Sequence, residues 1–233
     1  MNDKPTTVTE LMHQARANGH DSLGLANDPE AEAAFAKIGR ARRYVSIDDL
    51  VQLITEPNRT AVGKILADNR DLFARVQGST HNHQAWPGGY LDHVTEVMNI
   101  ALMLFGTLNE KRALPFSLSD ILLVVFLHDI EKPWKYELGE DGQLRHKPTM
   151  LTKADHQRFR MEKLAEYGVA LNDDHVNGLK YAEGELDDYS SRERKMGPLA
   201  ALAHLCDVTS ARIWFDHPAV ADDPWEGAKR AAP

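Results

Sequence analysis

Cysteine is nearly absent from the sequence, since Cys206 is the single cysteine among 233 residues. An internal disulfide is therefore excluded, which suits a reducing compartment. No apolar run reaches the roughly 18 residues that a membrane-spanning helix needs, and the N-terminal residues lack the basic-then-apolar order of a signal peptide. These absences predict a cytoplasmic protein with no membrane partner.

Positive charge is also in deficit, because 27 Lys and Arg side chains face 35 Asp and Glu side chains, for a net charge of −8. Such a balance argues against a broad nucleic-acid footprint, so a long nucleic acid is not the expected partner. A small nucleotide held by a few local cations and a metal is compatible with it. With 42% hydrophobic content, the chain can build one good-sized domain, and nothing in it excludes a homo-oligomer.

The most informative stretch is an almost unbroken apolar run over residues 121–127, which leads into His128 and Asp129. A segment that is apolar on all sides is typical of a buried helix, here predicted over residues 118–131. Burying an imidazole and a carboxylate is costly unless both find partners, and a metal cation would satisfy both. The alternative is a helix C-terminal cap without a metal. Lys132 follows within one turn and is placed to face an anionic substrate.

A second candidate ligand, His93, follows a turn predicted by the Pro-Gly-Gly sequence of residues 87–89. A helix is expected to begin near Tyr90, and His93 shares its apolar face with Val97 and Ile100, so its side chain should point inward. A lone histidine on an apolar face is more often a core residue with an internal hydrogen bond. The glycine turn and the later His-Asp pair favour the ligand interpretation here.

The third candidate is Asp207, which lies within an alanine- and leucine-rich helix that begins at residues 197–198. An aspartate among apolar neighbours is rarely buried without a partner, so either a metal or a basic side chain is implied. With His93 and the His-Asp pair, Asp207 completes a candidate set of nitrogen and oxygen ligands that leaves room for water.

Helical periodicity and a shortage of strand patterns predict an all-α fold in one domain. We expect a helical extension over residues 1–77 that packs on the core, a catalytic domain over residues 78–215 and a loosely ordered tail over residues 216–233. Residues 107–117 are predicted to form a loop. Two short alternating runs within residues 134–147 flank Gly-Glu-Asp-Gly and predict one β-hairpin, either a flap over the site or an exposed excursion.

The order of the candidate ligands resembles that of the HD superfamily of metal-dependent phosphohydrolases, and the resemblance covers residues 80–215. It is closest in motif to the HD domains of bacterial 3′→5′ exoribonucleases and of some conjugative relaxases. Residues 82–93 read Asn-His-Gln-Ala-Trp-Pro-Gly-Gly-Tyr-Leu-Asp-His, which looks like the opening of those domains. Residues 128–132 read His-Asp-Ile-Glu-Lys, where that group has His-Asp-Ile-Gly-Lys. The resemblance implies an HD-domain helical bundle as the fold.

The resemblance also implies that the first metal is held by four side chains: His93, His128, Asp129 and Asp207. The ion would be a divalent transition metal, Mn, Co, Ni, Fe or Zn, with Mg as a further option. His156 falls where members with two metals carry an extra histidine. The His-His pair that follows in those members is replaced here by Tyr-Ala-Glu over residues 181–183. One ion is therefore expected, and a second stays open, with Glu183 as a substitute ligand.

A divalent ion lowers the pKa of bound water and so presents hydroxide at neutral pH. We therefore expect hydrolysis of a phosphate ester or anhydride in a (deoxy)nucleotide; the alternative is a phosphodiester in an oligonucleotide or a cyclic nucleotide. The predicted catalytic residues are Asp129, His83 and Lys132, and His83 stands where the family has a histidine near the substrate. Substrate contacts are predicted from four side chains: Lys132, Trp86, His156 and Glu183.

Two other classes of protein are compatible with the sequence. Some HD proteins are di-iron oxygenases, but these need a full set of six ligands, and the replacement over residues 181–183 weakens that case. A non-catalytic nucleotide-binding module is the third class. Degenerate members usually lose metal ligands first, whereas the ligand set of this chain is intact.

Overall fold

The computed structural model describes residues 28–38, 43–79, 82–138, 144–215 and 223–228. The first 27 residues and the turn of the expected hairpin lie outside the described residues. The described residues form eight α-helices and one two-stranded sheet. The prediction of an all-α fold is therefore confirmed. None of the described helices is long and apolar enough to cross a membrane.

The N-terminal part contributes three helices, α1 (Pro29–Ile38), α2 (Ile47–Val51) and α3 (Asn58–Phe73). Helix α2 begins where the Ser46 side chain accepts a hydrogen bond from the Asp49 N–H, an N-cap that satisfies one otherwise unpaired donor. Ala31 of α1 and the buried apolar residues of α2 and α3 belong to the same cluster as those of the central helices. The described part of the N-terminal extension thus packs directly on the core.

Helix α4 (Gly89–Lys111) is longer than expected, so the loop prediction is wrong for residues 107–111. The helix continues past Gly106 and ends at Arg112, whose N–H donates to the Leu108 carbonyl. The side chain of Asn109 accepts the N–H of Leu114 at 2.9 Å and so stabilises the exit turn.

Helix α5 (Leu118–Leu127) begins at a capping box formed by Ser117 and Asp120 and ends four residues before the predicted limit at residue 131. The imidazole Nδ1 of His128 donates to the Val125 carbonyl at 2.7 Å and occupies the acceptor that the next helical turn would use. Residues 128–131 form a turn instead, and a short 3₁₀ helix, Lys132–Trp134, follows.

The predicted hairpin is present as two antiparallel strands, β1 (Tyr136–Leu138) and β2 (Leu144–His146), with Tyr136 opposite His146. Three more helices follow, α6 (Lys153–Glu166), α7 (Asp173–Tyr181) and α8 (Pro198–Val208). Each of α6 and α7 begins at a capping box, and α8 continues into one π-helical turn, Thr209–Ile213. The capping boxes satisfy backbone N–H groups that the first turn of each helix would leave unpaired.

The apolar helix α5 lies at the centre of the fold and packs against α4, α7 and α8. Apart from Asp120, all of its side chains are buried, as expected for a helix that is apolar on every side. Helix α8 also packs against α4 and α7. This arrangement brings the inner face of α4, the end of α5 and the end of α8 together, which is where the candidate ligands lie.

The tail contains a packed segment that the sequence analysis did not foresee. The ring of Trp225 meets Tyr44 edge-on at 5.1 Å and Trp214 at 5.7 Å, measured between ring centroids. The Tyr44 N–H donates to the Glu226 carbonyl at 2.8 Å. Residues 223–228 are therefore attached to the N-terminal part of the fold through aromatic contacts.

Candidate metal centre

Two histidines face each other inside the helical core. His93 lies on α4 and is fully buried, and His128 follows directly after α5 and is also buried. Their Nε2 atoms lie 3.3 Å apart. The prediction that the His93 side chain points inward is confirmed.

The hydrogen bonds of the two rings assign their protons. The His128 Nδ1 donates to the Val125 carbonyl at 2.7 Å, because a carbonyl can only accept. The Ser210 hydroxyl donates to the Glu96 carboxylate at 2.7 Å, so its oxygen accepts from the His93 Nδ1 at 3.0 Å. Both neutral rings therefore present an unprotonated Nε2 to the same point, and two lone pairs at this distance require a cation or a proton between them.

Two carboxylates converge on the same point. The Oδ1 of Asp207 lies 3.2 Å from His93 Nε2 and 3.6 Å from His128 Nε2. The Oδ2 of Asp129 lies 3.5 Å from His93 Nε2 and 3.3 Å from His128 Nε2. Metal–ligand bonds of about 2.0–2.2 Å place neighbouring ligand atoms about 3–3.5 Å apart, so these spacings fit a first coordination shell.

The His93, His128 and Asp207 cluster could therefore hold a metal ion. In the described part of the chain, one group of His, Cys, Asp or Glu ligand atoms converges closely enough for this. This cluster is the candidate site for the expected ion, and a second ion stays a prediction. Mixed nitrogen and oxygen donors suit a divalent transition metal.

The electrostatics of the metal-free cluster show how strongly it attracts positive charge. Burial lowers the pKa of His93, which keeps this ring neutral. Burial also acts to lower the pKa of His128, but the carboxylates of Asp129 and Asp207 outweigh it and raise that pKa to about 10. In the absence of a metal, a proton on His128 thus offsets the charge of the carboxylates.

Lys132 lies beside the candidate ligands, directly after the turn that contains the His-Asp pair. Its Nζ lies 2.5 Å from Asp129 Oδ2, one helical turn away in the chain. Burial acts to lower the pKa of this amine, but the neighbouring Asp129 carboxylate raises it above its ordinary value. Lys132 therefore carries a full positive charge at the edge of the ligand cluster.

The loop that precedes α4 places His83 next to the candidate ligand His93. Its ring centroid lies 4.8 Å from that of His93, and its Nδ1 lies 2.7 Å from the Gln84 side-chain oxygen, to which it donates. Burial, together with His93 and Lys132, lowers the pKa of His83 to about 4. The ring is therefore neutral at neutral pH, with an unprotonated Nε2.

An open cleft of about 210 Å³ adjoins the cluster, and His128 forms part of its wall. The wall also contains four cationic side chains and two carboxylates: Lys135, Lys153, Arg160, Lys180, Glu131 and Glu183. Lys135 immediately precedes strand β1, so the hairpin starts at the rim of this cleft. Charged and apolar side chains both line the cleft, and such a wall suits a small anionic ligand that also has an apolar part.

The remaining predicted substrate contacts lie at different places. His156 and Glu183 both line the cleft, and His156 Nε2 donates to the Met150 carbonyl at 3.1 Å. Trp86 lies on the loop before α4, and its indole N–H donates to the Asp92 carboxylate at 2.8 Å. The cleft thus brings two of the predicted contacts together with His128, whereas Trp86 is held at the start of α4.

Sequence reasoning missed three buried polar residues beside the ligands: Gln84, Glu96 and Ser210. Glu96 lies on the buried side of α4 near Val94 and Val97 and accepts a hydrogen bond from Ser210, so the burial argument applied to Asp207 would have found it. Gln84 and Ser210 gave no such signal, because both lie in irregular backbone outside any apolar pattern.

The chain is similar to the dihydroneopterin 2′,3′-cyclic phosphate phosphodiesterase of Methanocaldococcus jannaschii, with 28% identity over 97 residues. The matched segment spans 42% of this chain and 38% of the length of that relative. No model of a protein family matches the chain, and no solved structure matches it. The similarity to a phosphodiesterase and the metal-ligand cluster are both consistent with a metal-dependent phosphohydrolase.

Proposed function

We propose that this protein is a metal-dependent phosphohydrolase of the HD type, which cleaves a phosphate ester or anhydride of a (deoxy)nucleotide. The observation that carries the proposal is the ligand cluster itself. Two histidines present unprotonated Nε2 atoms to a point that two carboxylates also reach, at spacings of 3.2–3.6 Å. The four residues that would hold the ion are His93, His128, Asp129 and Asp207.

A bound divalent ion supplies hydroxide at neutral pH and a positive charge next to the phosphate. The side chains of the protein supply the rest of the site. The Lys132 ammonium, at the edge of the cluster, can bind a phosphate oxygen and offset the charge that builds up during attack at phosphorus. The unprotonated Nε2 of His83 can accept a proton from the attacking water, because the low pKa keeps this ring neutral.

The cleft next to His128 supports a small anionic substrate. Three of its four cations, Lys135, Lys153 and Lys180, lie in the wall to which His128 also belongs. Two of them have acidic neighbours, since Lys153 lies 3.8 Å from Glu183 and Lys180 lies 2.7 Å from Asp188. These cations can exchange such neighbours for substrate phosphates, while the net negative charge of the whole chain disfavours a long nucleic acid.

A panel of nucleotides, incubated with protein loaded in turn with Mn, Co, Ni, Mg or Zn, tests the proposal through release of phosphate. We expect release by the wild type and none by Asp129→Ala or Asp207→Asn. Asp68→Asn is the matched control, because Asp68 lies on the exposed face of α3 and pairs with Lys64. A protein shown to hold metal that releases phosphate from no nucleotide would contradict the proposal.

A second candidate function is hydrolysis of a phosphodiester in a cyclic nucleotide or a short oligonucleotide. The similarity to a cyclic phosphate phosphodiesterase favours it. Cyclic nucleotides and oligonucleotides in the same panel separate the two candidates by the product formed. Oxygen consumption by iron-loaded protein would instead indicate an oxygenase, and nucleotide binding without any turnover would indicate a binding module.

A further inference from the structure

We propose that Gln84, Glu96 and Ser210 form a positioning network that sets the proton on His93, and thereby the strength with which the cluster binds a cation. The proposal rests on the proposed function only in that a cation occupies the cluster. Part of it, the position of the His93 proton, can be measured without any metal.

The first step of the network runs from Glu96 through Ser210 to His93. The Ser210 hydroxyl donates to Glu96 Oε1 at 2.7 Å and accepts from His93 Nδ1 at 3.0 Å. All three side chains are buried, so the carboxylate charge acts through a medium that screens it weakly. The result is an imidazole with its proton held on Nδ1 and a more basic Nε2, which is the atom that faces the cluster.

The second step joins Gln84 to the same hydroxyl. The Gln84 amide nitrogen lies 3.2 Å from Ser210 Oγ, 3.4 Å from the Ser210 carbonyl and 3.4 Å from Glu96 Oε1. A carbonyl and a carboxylate can only accept, so this end of the side chain must be the NH₂ group. Its oxygen then accepts from His83 Nδ1 at 2.7 Å. One amide therefore assigns the same tautomer to His83 that Ser210 assigns to His93.

The backbone around Gln84 is shaped for this role. Gln84 has a φ of 40°, in the left-handed region that non-glycine residues rarely adopt. Its N–H donates to the Phe215 carbonyl at 2.8 Å, and its carbonyl accepts from Gly78 at 3.0 Å. A Cβ on Gly89 would lie 1.9 Å from the same carbonyl oxygen. Strain of this kind persists only where surrounding contacts enforce it, and here they direct the amide at Ser210.

The position of Ser210 also depends on irregular backbone. It follows Asp207 by three residues and lies in the π-helical turn Thr209–Ile213. Single π-helical turns are frequent at functional sites. This turn places the ligand Asp207 and the positioning residue Ser210 on the same side of the core, with Ser210 fully buried.

The test compares Ser210→Ala, Ser210→Thr and Glu96→Gln with the wild type in two measurements. Affinity for Mn and Zn is measured by competition with a chelator, and the His93 tautomer is read from ¹⁵N chemical shifts of the metal-free protein. Loss of an outer hydrogen bond to a ligating histidine weakens metal binding by about 10–100-fold, so we expect this loss in Ser210→Ala. Ser210→Thr keeps the hydroxyl and should restore affinity, and Glu96→Gln should give a partial loss.

Thr95→Ala is the matched control, because its hydroxyl donates to the Leu91 carbonyl on the same helix and touches no candidate ligand. It should bind metal like the wild type. A folded Ser210→Ala with wild-type affinity and an unchanged His93 tautomer would overturn the proposal. If Ser210→Ala does not fold, unchanged affinity and tautomer in Glu96→Gln would overturn it. Absence of nucleotide hydrolysis alone would refute the proposed function and leave the network intact.

Discussion

The buried ion pair between Glu131 and Arg160 allows a stability prediction of unusual size. Arg160 donates through Nε and Nη2 to one oxygen of Glu131, at 3.1 and 3.0 Å, and through Nη1 to the Leu179 carbonyl at 2.7 Å. Both side chains of the pair are buried, with 8% and 4% of their surface exposed. Glu131 lies two residues after Asp129, so the pair joins the turn after the candidate ligands to α6 and α7.

Arg160→Met should leave Glu131 buried without its cation and the Leu179 carbonyl without its donor. Breaking a buried pair from one side costs about 3–5 kcal/mol. At a urea dependence of about 2–3 kcal/mol per molar, the midpoint of unfolding should fall by about 1–2.5 M. The double variant Glu131→Met with Arg160→Met should recover most of this loss, because two apolar side chains can replace a buried pair at little cost.

Urea unfolding followed by circular dichroism measures all of these variants under one set of conditions. Arg158→Met is the control, since Arg158 lies on the exposed face of the same helix and pairs with Asp155. It should leave the midpoint unchanged. If Arg160→Met lost no more stability than this control, or if the double variant were no better than the single one, the reasoning about the buried pair would be refuted.

Three further predictions concern the metal, the turn before α4 and the tail. A metal ion must displace the proton that His128 retains because of its raised pKa, so the affinity for metal should rise about tenfold per pH unit between pH 6 and 9. Calorimetry in buffers of different ionisation enthalpy should detect the release of about one proton on metal binding. Gly89→Ala should displace the Gln84 carbonyl and abolish metal binding, measured in the same calorimeter. Gly106→Ala is the control, because its added Cβ meets nothing within 4 Å; this variant should bind metal normally and unfold at a higher temperature. Trp225→Ala removes two edge-on ring contacts and should cost about 1–3 kcal/mol in urea unfolding, with metal affinity as the unaffected control; wild-type stability would contradict the packing of the tail.

The candidate ligands could be predicted from the sequence because burial makes them conspicuous. His93, His128 and Asp207 are polar side chains in or beside helices that are otherwise apolar, where an unpartnered group is costly. That rule needs no knowledge of the three-dimensional structure. It located the helices around the site and the residues that face inward, although α4 and α5 end at other residues than predicted.

The surroundings of the ligands could not be predicted in this way. The role of Gln84 depends on a left-handed backbone conformation, and that of Ser210 depends on a π-helical turn. Neither backbone feature produces a periodic pattern of residues that could be recognised in the sequence. The partner of Glu131 is also unpredictable, because Arg160 lies 29 residues away on another helix and the two meet only after the helices pack.

Helix α5 has an electrostatic consequence that its apolar sequence conceals. Peptide dipoles add along a helix and leave the equivalent of roughly half a negative elementary charge at the C-terminal end. In α5 that end leads directly into His128 and Asp129, which are both buried, so the resulting field is screened less than at a protein surface. The most hydrophobic segment of the chain therefore directs the negative end of its dipole at the candidate ligands, which favours a cation at that point.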